Sequence, residues 1–439
     1  MGSDKAKLAY VPMVADYLHP GHLNIIKKAA ELGEVMVGLY TDKAVASYKR
    51  LPFMSYEQRK QIMENIKGVS YVVPQEEKDY EPNLRKYKPD FLVHGTDWRE
   101  GPLKKAREDA IAVMAEWGGE VVEPEYTPDI SSSDIHAKAK RLGITPQERL
   151  RILQRLLDVK PIVRVIEAHS ALSAMAAENV KFVEPGGETR MFDGLWLSSL
   201  TDSTLKGKPD IEFVDLTSRV VTINDILECT TKPIIYDGDT GSLANHFVFT
   251  VRRLERLGVS AVIIEDKTGA KKNSLLEPSD NLHLQDDISS FAEKISKGKQ
   301  AQVTSDFMII SRIESLILGK GINDALARAN AFIDAGADGI MIHSRMKGGK
   351  EVFEFCKEYN KFQNRKPLVA VPTNYSTVYE HELREAGVNI VIYANQLLRS
   401  SYSGMQAAAE SILRHGRAAE ADDGYVSALE LIKLIEGNM

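Results

Sequence analysis

Eight short apolar runs divide the second half of the chain, and stretches with helical periodicity separate them. They are Val163–Ile166, Gly194–Leu197, Pro233–Tyr236, Ala261–Ile264, Phe307–Ile310, Gly339–Ile342, Leu368–Val371 and Ile390–Tyr393. Short, continuously apolar runs are typical of parallel strands that are buried on both faces. Eight strand–helix units over about 250 residues are the number and size of a (β/α)8 TIM barrel, which the sequence therefore predicts.

Residues suited to binding or chemistry follow each predicted strand. They are Glu167 and His169, Ser198, Asp237 and Asp239, Glu265, Arg312, His343 and Ser344, Pro372 and Thr373, and Asn395. Because the carboxyl ends of barrel strands meet at one face, we expect the active site there.

Three of these residues, Asp237, Asp239 and Glu265, predict a magnesium site. Mg²⁺ prefers oxygen ligands and keeps several waters, so one direct carboxylate with water-bridged partners would suffice. Carboxylates packed together repel one another unless a cation neutralises them. A loop rich in Gly, Lys and Asn, residues 267–273, follows directly and suits an anion held against the metal.

The first half of the chain alternates strand and helix patterns, which predicts a Rossmann-like α/β domain with a parallel sheet. The chain has 439 residues, and single hydrophobic cores stop growing near ~250–300 residues, so a second domain is required. Thr145 and Pro146 suit the cap and first turn of a helix. We therefore place the boundary near Gly143, with domains at residues 6–143 and 144–439.

Composition excludes several classes of function. The net charge of −6 gives no basic field for nucleic acid, and only two cysteines occur, Cys229 and Cys356. No apolar run approaches the ~20 residues that span a bilayer, and the first residues lack the apolar stretch of a signal peptide. We expect a cytoplasmic protein that binds neither nucleic acid nor membrane.

From Glu148 onward the chain resembles the phosphoenolpyruvate mutase and isocitrate lyase superfamily. The resemblance rests on Glu167-Ala168-His169-Ser170, Trp196-Leu197-Ser198-Ser199-Leu200, Asp237-Gly238-Asp239-Thr240-Gly241, the segment 265–275, Arg312-Ile313-Glu314 and His343-Ser344. It implies conversion of phosphoenolpyruvate to phosphonopyruvate with Mg²⁺. The loop at 267–273 lacks the cysteine of isocitrate lyases, which disfavours carbon–carbon lyase chemistry.

The same resemblance implies roles for individual residues. Asp237 would be the direct Mg²⁺ ligand, and Arg312 would hold the substrate carboxylate. Asp210, Lys271 and Asn273 would be catalytic, next to the migrating phosphoryl group. The remaining substrate-binding residues would be Trp196, Ser198, Ser199, Leu200 and His343. A phosphonopyruvate hydrolase is the close alternative, although the ending Lys271-Lys272-Asn273-Ser274-Leu275 favours the mutase.

In the first half, His19-Pro20-Gly21-His22 follows a predicted strand and opens a helix, so both imidazoles can face a phosphate at the helix N-terminus. With its neighbouring motifs it resembles the cytidylyltransferase family, whose histidine pair stabilises the α-phosphate of CTP. The resemblance implies catalytic roles for His19 and His22. It implies nucleotide-binding roles for Asp16, His19, His22, Lys49, Arg50, Arg59, Gly95, Asp97, Ser131 and Ser132. Arg59 could instead contact a subunit interface.

Together the two resemblances imply a bifunctional enzyme of phosphonate biosynthesis. The N-terminal domain would transfer CMP from Mg²⁺-bound CTP to a small phosphonate, such as 2-hydroxyethylphosphonate or 2-aminoethylphosphonate. Met13-Val14-Ala15 and the segment 124–129 depart from the family pattern, which favours the alternative of a non-catalytic nucleotide-binding or assembly module. The resemblance also implies a homo-oligomer, a dimer or tetramer, which the amphipathic tail Val426–Ile435 could join.

Overall fold

The computed structural model describes residues 6–99, 104–125, 144–184, 189–269, 271, 273–274 and 284–435. The predicted boundary at Gly143 lies outside the described residues. No helix in these ranges is long and apolar enough to cross a membrane.

The N-terminal domain is built on a parallel sheet of five strands: β1 (Leu8–Met13), β2 (Glu34–Tyr40), β3 (Tyr71–Gln75), β4 (Phe91–Val93) and β5 (Glu120–Val122). The order of the strands in the sheet is β3-β2-β1-β4-β5. Its helices are α1 (Pro20–Ala30), α2 (Asp42–Ala46), α3 (Tyr56–Glu64), α4 (Glu81–Tyr87) and α5 (Lys104–Ala115). The strand order reverses between β1 and β4, and ligands of such sheets bind beyond the carboxyl ends of the strands at this point.

Strands β1 and β2 lie inside the sheet, and their side chains are buried on both of its faces. Ala9, Val11 and Ile26 pack on one side of the sheet, and Tyr10 and Leu92 pack on the other. This two-sided burial explains why the strands read as continuous apolar runs.

The C-terminal domain is a closed barrel in which all eight strands pair in parallel. In chain order they are β6 (Val163–Glu167), β9 (Gly194–Leu197), β10 (Ile234–Asp237), β11 (Ala261–Glu265), β14 (Met308–Ile313), β15 (Gly339–Ile342), β16 (Leu368–Ala370) and β17 (Ile390–Tyr393). All eight predicted strands are confirmed. Two antiparallel ribbons, which we did not predict, lie outside the barrel: β7 (Phe182–Val183) with β8 (Thr189–Arg190), and β12 (Lys267–Thr268) with β13 (Leu284–Gln285).

Helices surround the barrel and close one of its ends. They are α6 (Pro146–Val159), α7 (Ala171–Asn179), α8 (Ser199–Leu205), α9 (Leu216–Leu227), α10 (Ala244–Leu257), α11 (Ile288–Ala301), α12 (Gly321–Asp334), α13 (Lys350–Tyr359), α14 (Glu380–Glu385), α15 (Gln396–His415) and α16 (Ala428–Leu434). Helix α6 starts at the predicted Thr145 cap, whose hydroxyl accepts from the Glu148 amide. Its Leu153 and Leu156 pack into the barrel interior with Val163 and Ile235, at the amino ends of the strands.

Helix α6 also joins the two domains. Arg155 donates to the carbonyl oxygens of Pro52 and Phe53 at 2.8 and 2.7 Å, and to the Asp42 carboxylate at 3.0 Å. The N-terminal domain therefore meets the barrel at the end opposite to the carboxyl ends of the strands.

Candidate active sites

The barrel site begins where β10 ends. Asp237 is the last residue of β10 and is buried, and its Oδ2 accepts from the amide and the hydroxyl of Ser199 at 3.0 and 2.9 Å. Gly238 must be a glycine, because an added Cβ would lie 2.7 Å from Cγ2 of Val262 on the neighbouring strand. The chain then turns through Asp239 at φ 54°. The Asp239 carboxylate is buried and contacts the ammonium of Lys271, and it does not line the cavity itself.

The loop after β11 contributes the positively charged side chain of Lys271. The ammonium of Lys271 donates to Ser199 Oγ at 2.8 Å, to Asp210 Oδ1 at 2.7 Å and to Asp239. Asn273 Nδ2 donates to the other Asp210 oxygen at 2.6 Å. The three residues that we predicted to be catalytic in the barrel, Asp210, Lys271 and Asn273, thus form one connected group.

Arg312, near the end of β14, lines the same cavity. Its Nε donates to Glu314 at 2.6 Å, and its Nη2 contacts Ser274 Oγ at 2.8 Å and His343 Nδ1 at 2.9 Å. These contacts fix the guanidinium plane, so the salt bridge to Glu314 coexists with a binding role.

All predicted substrate-binding residues of the barrel line this one cavity, which has an empty volume of about 570 Å³. They are Trp196, Ser198, Ser199, Leu200, Arg312 and His343. Further polar residues line it, and Met341, Val371 and Ala394 supply an apolar part. The further polar residues are Asp210, Asp237, Glu265, Lys271, Asn273, Ser274, Thr373 and Asn395.

Charge in this cavity is balanced by close pairing. Burial would raise the pKa of Asp237, but Lys271, Arg219 and Arg312 outweigh it and hold this pKa below its ordinary value. Burial raises the pKa of Asp239, and it raises the pKa of Glu265 to about 7. Burial opposes the charge of Lys271, but Asp239 and Asp237 raise the pKa of this ammonium.

The three predicted metal residues fit Mg²⁺ in part. Glu265 Oε1 is buried without a hydrogen-bond partner among the described residues. This is expected of an oxygen that binds a cation, either directly or through a water on that cation. Yet no three acids, histidines or cysteines in the described ranges converge as direct ligands. Direct ligation of Mg²⁺ by Asp237, with waters between the metal and its other partners, stays a prediction.

Several residues that shape this site were missed in the sequence. Arg219 of α9 donates to the Asp237 carbonyl at 2.5 Å and to the Leu197 carbonyl at 3.1 Å, and its guanidinium lies 4.1 Å from the Tyr236 ring centroid. Lys267 lies 3.0 Å from Glu314. Arg219 comes from a helix whose local pattern carries no sign of a site. Lys267 opens the loop at residues 267–273, which we had linked to anion binding without assigning this lysine a role. In contrast, Glu167 and His169 bond each other, and Glu167 accepts from the Leu397 amide at 2.9 Å, so this pair joins β6 to α15.

In the N-terminal domain His19 and His22 lie at the start of α1, with ring centroids 4.0 Å apart. Nδ1 of His19 accepts from the Gly21 amide at 3.2 Å, and Nδ1 of His22 accepts from the His19 amide at 3.4 Å. A neutral ring whose Nδ1 accepts carries its proton on Nε2, which makes Nε2 a donor for a phosphate oxygen. Burial, with help from His19 and Lys49, lowers the pKa of His22 to about 4.

Asp16 and the loop at residues 49–54 lie beside this pair. The Asp16 carboxylate accepts from the Phe53 and Met54 amides at 3.0 Å each and so anchors the loop that carries Lys49 and Arg50. Arg50 itself reaches the barrel domain, where it pairs with Glu178 of α7 at 2.9 Å.

The structure does not support the expected contact between Arg59 and nucleotide. This guanidinium is fully buried, and it donates to the carbonyls of Val14, Tyr40 and Met54 and to Asp42. Arg59 joins β1, β2 and the loop at residues 49–54, so it acts on the cleft only through these segments.

The segment after β4 forms the other side of the crevice. Gly95 precedes a 3-10 turn, Thr96–Trp98, which contains Asp97; the Asp97 side chain, Ser131 and Ser132 lie outside the described residues. Trp98 Nε1 donates to Glu123 at 2.6 Å, and Arg107 donates to the same carboxylate at 2.7 Å. Glu123, which we missed, holds the turn in place, and no local motif marks it.

Comparison with known proteins agrees with both halves of this geometry. Residues 153–413, more than half of the chain, match the family described as "Phosphoenolpyruvate phosphomutase". The chain belongs to the phosphoenolpyruvate phosphomutase family. Residues 14–138 match a second family, described as "Cytidylyltransferase-like", so a phosphomutase-type barrel is fused to a cytidylyltransferase-like domain.

Relatives of the phosphomutase barrel include enzymes of two activities. A phosphoenolpyruvate phosphomutase of Tetrahymena pyriformis is 34% identical over 283 residues, which are 64% of this chain and 89% of that protein. The crystal structure of a phosphoenolpyruvate phosphomutase from Streptomyces platensis subsp. rosaceus matches with TM-score 0.59 and 33% identity over 65% of this chain and 94% of that one. A phosphonopyruvate hydrolase solved with oxalate and Mg²⁺ matches with TM-score 0.57 and 32% identity over 66% of this chain and 95% of that one.

Proposed function

We propose that the barrel interconverts phosphoenolpyruvate and phosphonopyruvate and depends on Mg²⁺. The observation that carries this proposal is the joint contact of Lys271 and Asn273 with Asp210, in the cavity that Arg312 also lines. The cavity thus offers a guanidinium that suits a carboxylate, and a lysine and an amide that suit a phosphoryl group.

In this reaction the phosphoryl group leaves the enol oxygen of phosphoenolpyruvate and bonds to C3 of the resulting pyruvate enolate. Arg312, held by Glu314 and His343, fixes the substrate carboxylate, so C3 stays beside the departing group. Lys271, Asn273 and the Ser199 hydroxyl stabilise the charge on the phosphoryl oxygens during transfer. Asp237, Asp239 and Glu265 would hold Mg²⁺, which would polarise the oxygens of the enolpyruvate.

A mutase must keep water away from the phosphoryl group, whereas a hydrolase must admit it. Lys271 and Ser199 are buried in the cavity, which supports the mutase. The hydrolase remains the second candidate because relatives of both activities match equally well. Phosphorus NMR of the protein with phosphonopyruvate and Mg²⁺ separates the two. We expect phosphoenolpyruvate as the product, and pyruvate with inorganic phosphate as main products would overturn the mutase in favour of the hydrolase.

We further propose that the N-terminal domain transfers CMP from Mg²⁺-bound CTP to a small phosphonate. His19 and His22 would donate to the α-phosphate as pyrophosphate leaves, and the positive end of α1 favours the same charge. The intact histidine pair supports catalysis over the alternative of a non-catalytic nucleotide-binding or assembly module.

A pyrophosphate-release assay with CTP and a panel of phosphonates, including 2-hydroxyethylphosphonate and 2-aminoethylphosphonate, tests this second proposal. We expect release with at least one acceptor and more with CTP than with ATP. CTP binding without pyrophosphate release for any acceptor would instead support the binding module.

A further inference from the structure

A pocket lies between the two domains, at the amino ends of the barrel strands. The space between the atoms that line it, including its open mouth, is about 500 Å³, and the corresponding space of the barrel cavity is about 570 Å³. Lys49 and Arg50 line it from the N-terminal domain, and Lys160, Thr231 and Lys232 line it from the barrel. Lys160 precedes β6 and Lys232 precedes β10, so the pocket is separate from the cavity around Asp237.

Positive charge exceeds negative charge around this pocket. Lys160 pairs with Asp193 at 2.5 Å, and Arg50 pairs with Glu178 at 2.9 Å. The buried Lys232 lies 3.8 Å from the same Glu178 and donates to the Phe192 carbonyl at 2.7 Å. Three cations thus share two carboxylates. Burial lowers the pKa of Lys232 to about 8; Glu178 opposes this shift and Arg50 adds to it.

A second, independent feature lies beside Lys232. Thr231 is only 1% exposed, and its hydroxyl has no hydrogen-bond partner among the described residues. A buried hydroxyl without a partner is destabilising, and native proteins usually satisfy such groups with a water or a ligand. An orphan hydroxyl next to surplus ammonium charge suits an anion with several acceptor oxygens.

We propose that this interdomain pocket binds a phosphate group. Phosphate accepts several hydrogen bonds at once and pairs well with lysine and arginine. Two sources of that group are open. One is the terminal phosphate of a nucleotide held at the histidine pair, which rests on the proposed function of the N-terminal domain; Lys49 both lines the pocket and acts on the charge of His22. The other is a separate phosphate-bearing molecule.

The test is calorimetric binding to the full chain and to a Thr231→Val variant, which removes the hydroxyl and nearly preserves the volume. The probes are CTP, CMP and inorganic phosphate, the last also in the presence of saturating CTP. If the nucleotide supplies the phosphate, the variant should bind CTP about five- to tenfold more weakly and CMP unchanged. If a separate molecule supplies it, inorganic phosphate should bind beside CTP, and the variant should weaken that binding by a similar factor.

The stability of the variant gives an internal control. Removing an orphan hydroxyl should leave the melting temperature unchanged or higher, so weaker binding cannot be ascribed to unfolding. Lys232→Met should weaken phosphate binding further, whereas Lys299→Met, which breaks a pair with Asp338 outside the pocket, should not. Unchanged binding of both CTP and phosphate in Thr231→Val and Lys232→Met, or an equal loss for CMP and CTP, would overturn the proposal. If the protein bound no CTP at all, the proposed nucleotidyl transfer would fail, and the phosphate arm would still test the pocket.

Discussion

The ammonium of Lys271 lies among several carboxylates of the phosphomutase barrel. Asp210 and Asp239 both contact this ammonium. The hydroxyl of Ser199 links it to the buried Asp237, because this hydroxyl accepts from Lys271 and donates to the Asp237 carboxylate. Because buried carboxylates repel one another, such a group is stable only with cations among them. We therefore expect the Lys271 ammonium and Mg²⁺ together to neutralise the negative charge of these carboxylates.

The negative charge of Asp237 gives a prediction for Mg²⁺ binding. Asp237→Asn keeps the shape of the side chain but removes the negative charge, so Mg²⁺ should bind more weakly and the mutase rate should fall by at least about 10². The rate should recover in part at high Mg²⁺, as measured by phosphorus NMR across a metal titration. Full activity of the wild type in a chelator would contradict the metal assignment.

His22 gives a prediction for pH. Its pKa is lowered to about 4 in the folded protein, from an ordinary value near 6.5, so the unfolded chain binds more protons between these values. The N-terminal domain should therefore lose stability as pH falls from about 6.5 to 4, and His22→Gln should reduce this loss. Urea unfolding followed by Trp98 and Trp117 fluorescence, in a Trp196→Phe background, measures it.

A control histidine makes this test specific. His381 is exposed and belongs to the barrel, so His381→Gln should leave the pH dependence of the N-terminal domain as it is in the wild type. An unaltered pH dependence in His22→Gln would show that the imidazole is not the group responsible.

Helix α6 connects the barrel to the nucleotide cleft. Arg155 holds the carbonyls of the loop at residues 49–54 from one side, and Asp16 holds its amides from the other. The position of Lys49 and Arg50 thus depends on a helix of the phosphomutase domain. No local pattern in the sequence predicts this contact between Arg155 and the loop at residues 49–54.

We expect Arg155→Met to loosen this loop. The KM for CTP should rise about tenfold, the loss of a hydrogen bond to a charged group, with a smaller change in kcat. Hydrogen exchange at residues 50–54 should become faster. Arg151→Met on the same helix removes a half-exposed pair with Asp306 and should change neither quantity. Equal effects of the two substitutions would show that Arg155 acts only through the stability of α6.

The strands and most of the barrel site could be predicted because their signals are local. Asp237 and Glu265 each end a buried strand, and Lys271 and Asn273 occur in one short loop. Arg219 and Glu123 could not be found, since each acts through contacts between segments distant in sequence. Arg59 was misjudged for the same reason, because only the fold shows that its guanidinium is buried.

The C-terminal helices α15 and α16 have no buried residue in the single chain. Exposed apolar side chains lie along both, including Tyr402, Met405, Leu413 and Leu431. Exposed apolar surface of this kind marks sites of association. This agrees with the predicted homo-oligomer, which stays a prediction.

Light scattering after size exclusion tests the association. The wild type should be a dimer or tetramer, and Leu413→Glu should shift it toward the monomer because it places a charge in an apolar contact. Val303→Glu is the matched control, since both residues are 86% exposed and Val303 belongs to the barrel segment between α11 and β14. A monomeric wild type at micromolar concentration would refute the prediction.

The central claim is that one chain carries two separate catalytic centres, and assaying both reactions on two variants tests it most directly. His22→Ala removes a donor to the α-phosphate and should lower pyrophosphate release by about 10²–10³ while the mutase rate stays unchanged. Asp237→Asn should do the reverse. Circular dichroism verifies that each variant is folded. Loss of the mutase reaction in folded His22→Ala protein would contradict the claim and require a shared or strongly coupled site.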